Sequence, residues 1–343
     1  MAEFLYMVGL FVYATANHTF LMLYWIWLPG WLLSGYLFTR VHRQPLPLLL
    51  KDRPVSVRSF LWAGLLGVTF SADRRRGWAA LADLLAARVP PPLALAFFIG
   101  NQHVVIYPLC FFMALVGGEF FAGQALGGII MAAYLALLVR LIPKRHWEEA
   151  ATAPDRPENR RWRERYATSP LPRGWRGVIR YLGRELRALW WPVPLGLLGA
   201  GIIGAAGRTT WWVDFSLVGG EGVATALLNA VLGAALSVVM PLAPLGHLFV
   251  GAFLWKAYTL SFLGIIAFVL ASAADFRAIR AYVRLFGPAF GRALAIAVFA
   301  SAMLAALTLG LLLWAVGFEV THTPLGHTVV NKIMNALSLS GPM

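Results

Sequence analysis

The stretch that decides the fold is residues 95–142, which read LAFFIGNQHVVIYPLCFFMALVGGEFFAGQALGGIIMAAYLALLVRLI. Only Glu119 and Arg140 carry a formal charge within it. The hydrocarbon core of a bilayer is crossed by about 20 apolar residues in helical form, and two such helices are predicted, over residues 91–117 and 120–142. In lipid, a helix satisfies every backbone N–H and C=O within its own segment. The pattern therefore predicts an all-α integral membrane protein.

The composition of the whole chain agrees with a lipid environment. Of its 343 residues, 59% are hydrophobic and 13% are charged, and the mean hydropathy is +0.70. A water-soluble domain is far less apolar, so we expect the chain to lie in a membrane. From its apolar segments we expect about 8–10 hydrophobic helices. The net charge of +14 would suit a nucleic acid, but the basic residues cluster between apolar segments, where positive charge marks the cytoplasmic side. We therefore expect no nucleic-acid partner.

Polar segments divide the chain into four parts. Residues 144–187 contain twelve Lys or Arg against six Asp or Glu, which is typical of a cytoplasmic loop. We predict a first transmembrane repeat over residues 1–142 and a basic cytoplasmic loop over residues 143–187. A second transmembrane repeat is predicted over residues 188–317, followed by a surface tail over residues 318–343.

The two transmembrane parts match each other in sequence. AFFIGN at residues 96–101 aligns with AFVLAS at residues 267–272, an offset of 171 residues. The segment after the first match, residues 104–121, contains no Lys or Arg, whereas its counterpart is basic. The basic residues of the counterpart are Arg277, Arg280, Arg284 and Arg292. By the positive-inside rule the two segments lie on opposite sides of the membrane. We therefore predict inverted-topology repeats, each with a broken or re-entrant helix, the breaks falling at residues 70–76 and 241–247.

Three segments carry motifs of small and aromatic residues, at residues 28–37, 95–142 and 241–275. The motif residues are Gly30, Ser34, Gly35, Asn101, Gly117, Phe120, Gly127, Gly128, Leu254, Trp255, Ser261, Phe262, Gly264, Ala267, Phe268 and Asp275. They resemble, at matching relative positions, a prokaryotic family of predicted inner-membrane permeases whose characterised branch exports organoarsenicals. The resemblance implies a permease scaffold for this chain.

The chain departs from that family at both breaks. Where relatives carry a Ser/Cys-rich break in the first half, this chain has Thr-Phe-Ser-Ala-Asp at residues 69–73. Where relatives carry a Cys/Ser-Gly break in the second half, it has residues 241–247, which contain neither Cys nor Ser. Soft trivalent arsenic needs thiolate-type ligands, and no cysteine lies at either break. The resemblance therefore carries over the scaffold of a divergent member that lacks the Cys/Ser motifs, and not the arsenical substrate.

A polar triplet, Asn101, Gln102 and His103, ends the apolar half-helix of the first repeat. Three adjacent hydrogen-bonding side chains at membrane depth are costly unless they find partners or water. We predict that all three bind substrate. The alternative is that the triplet lies at the membrane–water boundary and caps a helix.

Two further candidates for substrate binding lie in the second half. His247 follows the second break and can bind a proton or a metal near neutral pH; the alternative is a helix-start histidine bonded to backbone. Asp275 is an intramembrane carboxylate, which is a functional candidate by default. Its alternative is an ion pair with Arg277 or Arg280.

Ser71 is the last candidate, and it lies at the first break. Its neighbours, Asp73 and residues 74–76, favour a surface turn held by salt bridges, so Ser71 has less support than the other candidates. Whether a metal ion binds among the candidates is left open by the sequence.

The remaining motifs exclude several classes of activity. No phosphate-binding loop, HExxH helix or Gly-x-Ser-x-Gly elbow occurs in the chain, so neither an ATP-driven pump nor a membrane protease is expected. A single cysteine, Cys110, excludes a multi-cysteine zinc site. We expect no cofactor and no enzymatic activity.

The predicted function is a secondary permease of the bacterial inner membrane, with several membrane passes. It would move a small solute or metal(loid) compound through a midplane site between the two repeats. One alternative is a permease-like scaffold or assembly subunit that no longer transports, in a homo-oligomer or a larger membrane complex. Another is a membrane enzyme acting on a lipid, which no motif supports.

Overall fold

The computed structural model describes residues 1–167, 170–207, 223–318 and 320. Within these residues the regular elements are all helical and no strand occurs, so the predicted all-α class is confirmed. The first part contains α1 (Ala2–Asn17), α2 (Tyr24–Val41), α3 (Leu46–Leu50), α4 (Val57–Val68), α5 (Arg74–Ala86), α6 (Pro91–His103), α7 (Ile106–Val116) and α8 (Gly118–Leu138). The basic segment contains α9 (Lys144–Thr152), α10 (Pro157–Tyr166) and α11 (Trp175–Leu189). The last part contains α12 (Pro192–Ala206), α13 (Val223–Val239), α14 (Pro244–Lys256), α15 (Phe262–Ala271), α16 (Phe276–Phe286) and α17 (Pro288–Ala315).

Four of the described helical segments are long and apolar enough to cross a membrane. They are Ala2–Met22, Gly118–Leu141, Phe262–Phe286 and Pro288–Ala315. Two further spans arise if each of two bent helix pairs crosses the membrane as one unit. The first pair is α6 with α7, bent by 40°, and the second is α11 with α12, bent by 47°. Large apolar side chains on α1 and α17 remain exposed, as expected of surfaces that face lipid.

Short-range signals set the helix ends. The side chains of Ser56, Asp73, Ser261 and Asp275 accept hydrogen bonds from backbone N–H groups in the first turns of α4, α5, α15 and α16. Proline begins α6, α12, α14 and α17, where its missing N–H costs nothing.

Two glycines with positive φ separate a short helix from the long span that follows it. Gly117 (φ 118°) lies between α7 and α8, and Gly287 (φ 88°) lies between α16 and α17. A side chain would be strained at this backbone angle. The two positions are 170 residues apart, close to the offset of the sequence match.

The same helix pairs pack together in both halves. Helix α4 packs on α6 as α13 packs on α15, α6 packs on α8 as α15 packs on α17, and α7 packs on α8 as α16 packs on α17. A Cβ atom on Gly100 would collide with the carbonyl of Gly64, and one on Gly233 would collide with the carbonyl of Gly264. Both contacts let two helix backbones approach closely. Helix α8 packs on α17 across the centre, where Tyr134 Oη and Thr308 Oγ1 lie 2.8 Å apart.

The breaks are shorter than the sequence indicates. The first covers residues 69–73, because residues 74–76 already form the first turn of α5. The second covers residues 240–243, because α14 begins at Pro244. The interruption near the N-terminus lies at Leu23, after a π-helical turn, and Pro29 lies within α2. The predicted surface tail lies outside the described residues except for residues 318 and 320.

Candidate functional site

The first break, residues 69–73, turns inward. Asp73 forms ion pairs with Arg75 (3.1 Å) and Arg76 (3.5 Å), so the predicted salt-bridged turn is present. It is not a surface turn, because Ser71, Asp73 and Arg74 are all buried. That part of the prediction is wrong because the side chain of Arg74 points into the protein while those of its neighbours pair with Asp73.

Arg74 and Asp275 form a buried ion pair between the two halves. Nη1 of Arg74 donates to Oδ2 of Asp275, and the two side chains are 6% and 0% exposed. The other carboxylate oxygen of Asp275 accepts from the N–H of Ala278 at 2.8 Å, which caps α16. The sequence-based alternative, a pair with Arg277 or Arg280, is wrong. Arg74 itself was missed, because its position beside Arg75 and Arg76 is typical of a solvated turn.

The polar triplet lies in the last turn of α6 and faces α5. The side-chain amide of Asn101 donates to the carbonyl of Ser71, and Nε2 of Gln102 donates to Oδ1 of Asn101 at 2.9 Å. Asn101, Gln102 and His103 are all buried, so a boundary position in contact with water does not fit them. Among the described residues, Gln102 Oε1 and His103 Nε2 have no hydrogen-bond partner. The triplet therefore supplies polar atoms to the protein interior.

His247 lies in the first turn of α14 and is 0% exposed. Its Nδ1 is 3.3 Å from the carbonyl oxygen of Ala243, and its Nε2 is 3.5 Å from that of Ser237. A neutral imidazole donates to one of these carbonyls and an imidazolium to both. The backbone contacts are those of the alternative interpretation, a histidine at a helix start. The guanidinium of Arg74 lies close enough for its charge to act on both His247 and His103.

Glu185 is a buried carboxylate that sequence reasoning missed. It belongs to α11, inside the segment predicted as a cytoplasmic loop, and it is 0% exposed. Its Oε1 accepts from Ser71 Oγ (2.6 Å), and its Oε2 accepts from the N–H of Ala72 and the hydroxyl of Tyr107 (both 3.1 Å). Val178, Tyr181 and Glu185 follow one another at helical spacing and form the buried face of α11. This spacing is the sequence signal that could have identified Glu185 as an interior residue.

Four of the six candidates from the sequence meet around the first turn of α5, and the charge of Arg74 acts on the other two, His103 and His247. We call this group, together with Arg74, the Arg74 cluster. Its members are Ser71, Arg74, Asn101, Gln102, His103, His247 and Asp275. Elements from both halves supply them: the first break, α5 and α6 on one side, and α14 and the start of α16 on the other. Across the described part of the chain, no three His, Cys, Asp or Glu side chains are placed to hold a metal ion.

The fold and the Arg74 cluster show what class of protein this is: a polytopic helical membrane protein with charged groups in its interior. A family model described as a predicted permease matches residues 6–311. Because the match spans most of the chain, the protein belongs to this family of predicted permeases, which confirms the resemblance seen in its motifs. No curated protein and no solved structure matched the chain.

Proposed function

We propose that the protein is a secondary permease that moves a small solute through the Arg74 cluster by alternating access. The cluster would lie near the midplane of the bacterial inner membrane, between two inverted repeats. The observation that carries the proposal is the buried ion pair of Arg74 and Asp275, because it joins the first break to the second half of the chain. Membership in a permease family supports the transport role.

A charged pair inside a membrane protein calls for a functional reason. Taking two charges out of water costs several kcal/mol per ion, and their attraction often fails to offset that cost. Ionisable residues at membrane depth therefore usually mark the path of a solute or ion. Arg74 and Asp275 belong to different halves, so a motion of one half against the other would separate or re-form the pair. A motion of this kind is what alternating access consists of.

The correspondence between the halves supports the repeat on which this mechanism depends. Equivalent helices pack on equivalent neighbours, and Gly117 and Gly287 occupy equivalent turns with positive φ. The break before α5 corresponds to the break before α14, and both helices begin at the cluster. In transporters built from inverted repeats, broken helices of this kind hold the substrate near the midplane.

Cysteine accessibility tests the proposal directly. Cys110 is the only cysteine, so a Cys110→Ala background permits single labels at Gln102→Cys and Ala274→Cys, both at buried positions. We expect a charged, membrane-impermeant thiol reagent to reach both sites, because alternating access opens the cluster to water. Leu135→Cys, buried in α8, is the unreactive control, and Arg145→Cys, exposed on α9, is the reactive one.

The opposite result has a clear meaning. If Arg145→Cys reacts while neither Gln102→Cys nor Ala274→Cys does so from either side, the cluster is not on a water-filled path. A stoichiometric partner that co-purifies in mild detergent would then favour the non-transporting assembly subunit.

A further inference from the structure

Arg74 uses only part of its hydrogen-bonding capacity. Its Nη1 donates to Asp275, but its Nε and Nη2 have no partner among the described residues although the side chain is 6% exposed. Buried polar groups in folded proteins are nearly always paired, so donors left over in an interior call for a ligand or ordered water. On a guanidinium, Nε and Nη2 form the planar fork that matches two oxygens of one oxyanion.

A third buried donor without a partner belongs to the same cluster. Nε2 of His103 has no partner among the residues that the structure describes, and the side chain is 2% exposed. The charge of Arg74 acts on His103 and on His247, so the guanidinium lies within electrostatic range of both imidazoles. In the tautomer that carries its proton on Nε2, His103 donates one further hydrogen bond.

The N-terminus of α14 favours negative charge as well. Arg74 is the first residue of α5, and His247 lies in the first turn of α14. The N-terminus of a helix carries a positive partial charge and N–H groups without helical partners. Asp73 already caps the N-terminus of α5, so the uncapped end near the fork is that of α14, whose His247 lies within range of the charge of Arg74. A helix N-terminus at a broken segment is a common way to hold an anionic group in a membrane protein.

We propose that the solute is a small oxyanion, such as a phosphate, sulfate or carboxylate group. Two of its oxygens accept from Nε and Nη2 of Arg74, and another oxygen, or the second lone pair of one of these, accepts from Nε2 of His103. This inference rests on the proposed permease function and adds the chemical class of the solute. Asp275 pairs with Nη1 of Arg74 and leaves the fork of Nε and Nη2 free, so its carboxylate opposes the anion by like-charge repulsion.

Substitutions of the two members of the pair are therefore expected to have opposite effects on anion affinity. Arg74→Lys keeps the charge but loses the fork, so oxyanion affinity falls by about tenfold or more. Asp275→Asn keeps the helix cap and removes the negative charge that repels the anion, so the affinity rises. Arg75→Lys is the matched control, because Arg75 is half-exposed and pairs with Asp73. An ion pair with a purely structural role predicts no gain of anion binding from Asp275→Asn.

The experiment uses the full chain purified in detergent. Equilibrium binding of radiolabelled phosphate and sulfate is measured at constant ionic strength, with chloride and the cation tetraethylammonium as comparison solutes at up to ~10 mM, where sites of millimolar affinity are filled. We expect binding that Arg74→Lys weakens, Asp275→Asn strengthens and Arg75→Lys leaves unchanged. If Asp275→Asn does not fold, His103→Gln replaces it and is expected to weaken binding several-fold.

Thiol labelling distinguishes a failure of the oxyanion assignment from a failure of the proposed permease function. In the Gln102→Cys protein, phosphate or sulfate is expected to slow the reaction with the impermeant reagent. Labelling that neither oxyanion slows, together with no binding of either, overturns the oxyanion assignment and leaves the permease standing. If Gln102→Cys and Ala274→Cys are both unreactive, the permease function fails and the oxyanion assignment fails with it.

Discussion

Ser71 and Glu185 are 114 positions apart in the chain, and the Ser71 hydroxyl donates to the Glu185 carboxylate at 2.6 Å. The contact joins the first break to α11, which enters the structure from the basic segment between the halves. Ala72 N–H and the Tyr107 hydroxyl complete the set of donors to Glu185. One buried carboxylate thus holds the break, α7 and α11 together.

Glu185→Gln is expected to destabilise the protein. An amide presents N–H donors where the carboxylate accepts three hydrogen bonds, so at least one buried donor loses its acceptor, at a cost of about 1–3 kcal/mol. Thermal unfolding of the purified protein in detergent measures the effect. Glu164→Gln is the control, because Glu164 is 65% exposed and pairs with Arg160 on the surface of α10. Stability equal to that of the wild type would contradict an ionised carboxylate at this position.

The pair of Arg74 and Asp275 is expected to show strong coupling in a double-mutant cycle. Arg74→Met or Asp275→Asn alone leaves one buried charge without its partner, which costs about 3–5 kcal/mol. The double variant is expected to lose less stability than the sum of the single losses. Unfolding of the four proteins under identical conditions checks this, and additive losses would show that the two charges do not interact. Arg75→Met, at a half-exposed pair, is expected to cost at most about 1 kcal/mol.

Gly100→Ala and Gly183→Ala are expected to act in opposite directions. A Cβ atom at Gly100 collides with the backbone of Gly64, so α4 and α6 must separate, at a cost of about 1–3 kcal/mol. A Cβ atom at Gly183 meets nothing within 4 Å, and alanine favours a helix over glycine by about 1 kcal/mol. Thermal unfolding of both variants tests the prediction. A stabilising Gly100→Ala would contradict the close approach of α4 and α6.

Arg163→Ala is expected to loosen α10 from α5. Arg163 lies 2.8 Å from the Asp83 carboxylate, which ties the basic segment to the first half, and 2.9 Å from the carboxylate of Asp155 within the basic segment. Such partly exposed pairs contribute at most about 1 kcal/mol, so unfolding should change little while limited proteolysis within α10 becomes faster. Arg160→Ala, which breaks only an exposed pair within α10, is the control. Equal cleavage rates in the two variants would argue against the tie.

Local patterns account for the parts of the fold that were predicted. Long apolar runs predicted the spans around α8 and α17, because lipid demands uninterrupted apolar helix. The resemblance to predicted permeases rested on small and aromatic residues such as Gly117 and Phe120, which serve in turns and in helix packing. The candidates Asn101, His103 and Asp275 were found because polar side chains inside apolar runs stand out.

Long-range contacts account for what was missed. Arg74 shares a charged run with Arg75 and Arg76, and nothing in the run shows which side chain is buried. Its partner is 201 positions away. Glu185 lies in a basic segment whose average composition is that of a solvated loop. Its helical spacing from Val178 and Tyr181 nevertheless places it on the face of α11 that points into the protein.

The sequence alone determined that this chain is an all-helical membrane protein of a permease family with polar residues set into its apolar segments. Hydropathy and small-residue spacing are local properties, and a segment's own composition decides whether lipid accepts it. Only the tertiary structure decided which polar residues face one another, that Arg74 and Asp275 join the halves, and that Glu185 holds the first break. The physical reason is that a charge can be buried only where a partner and hydrogen bonds compensate the loss of water, and that partner is set by how distant segments pack.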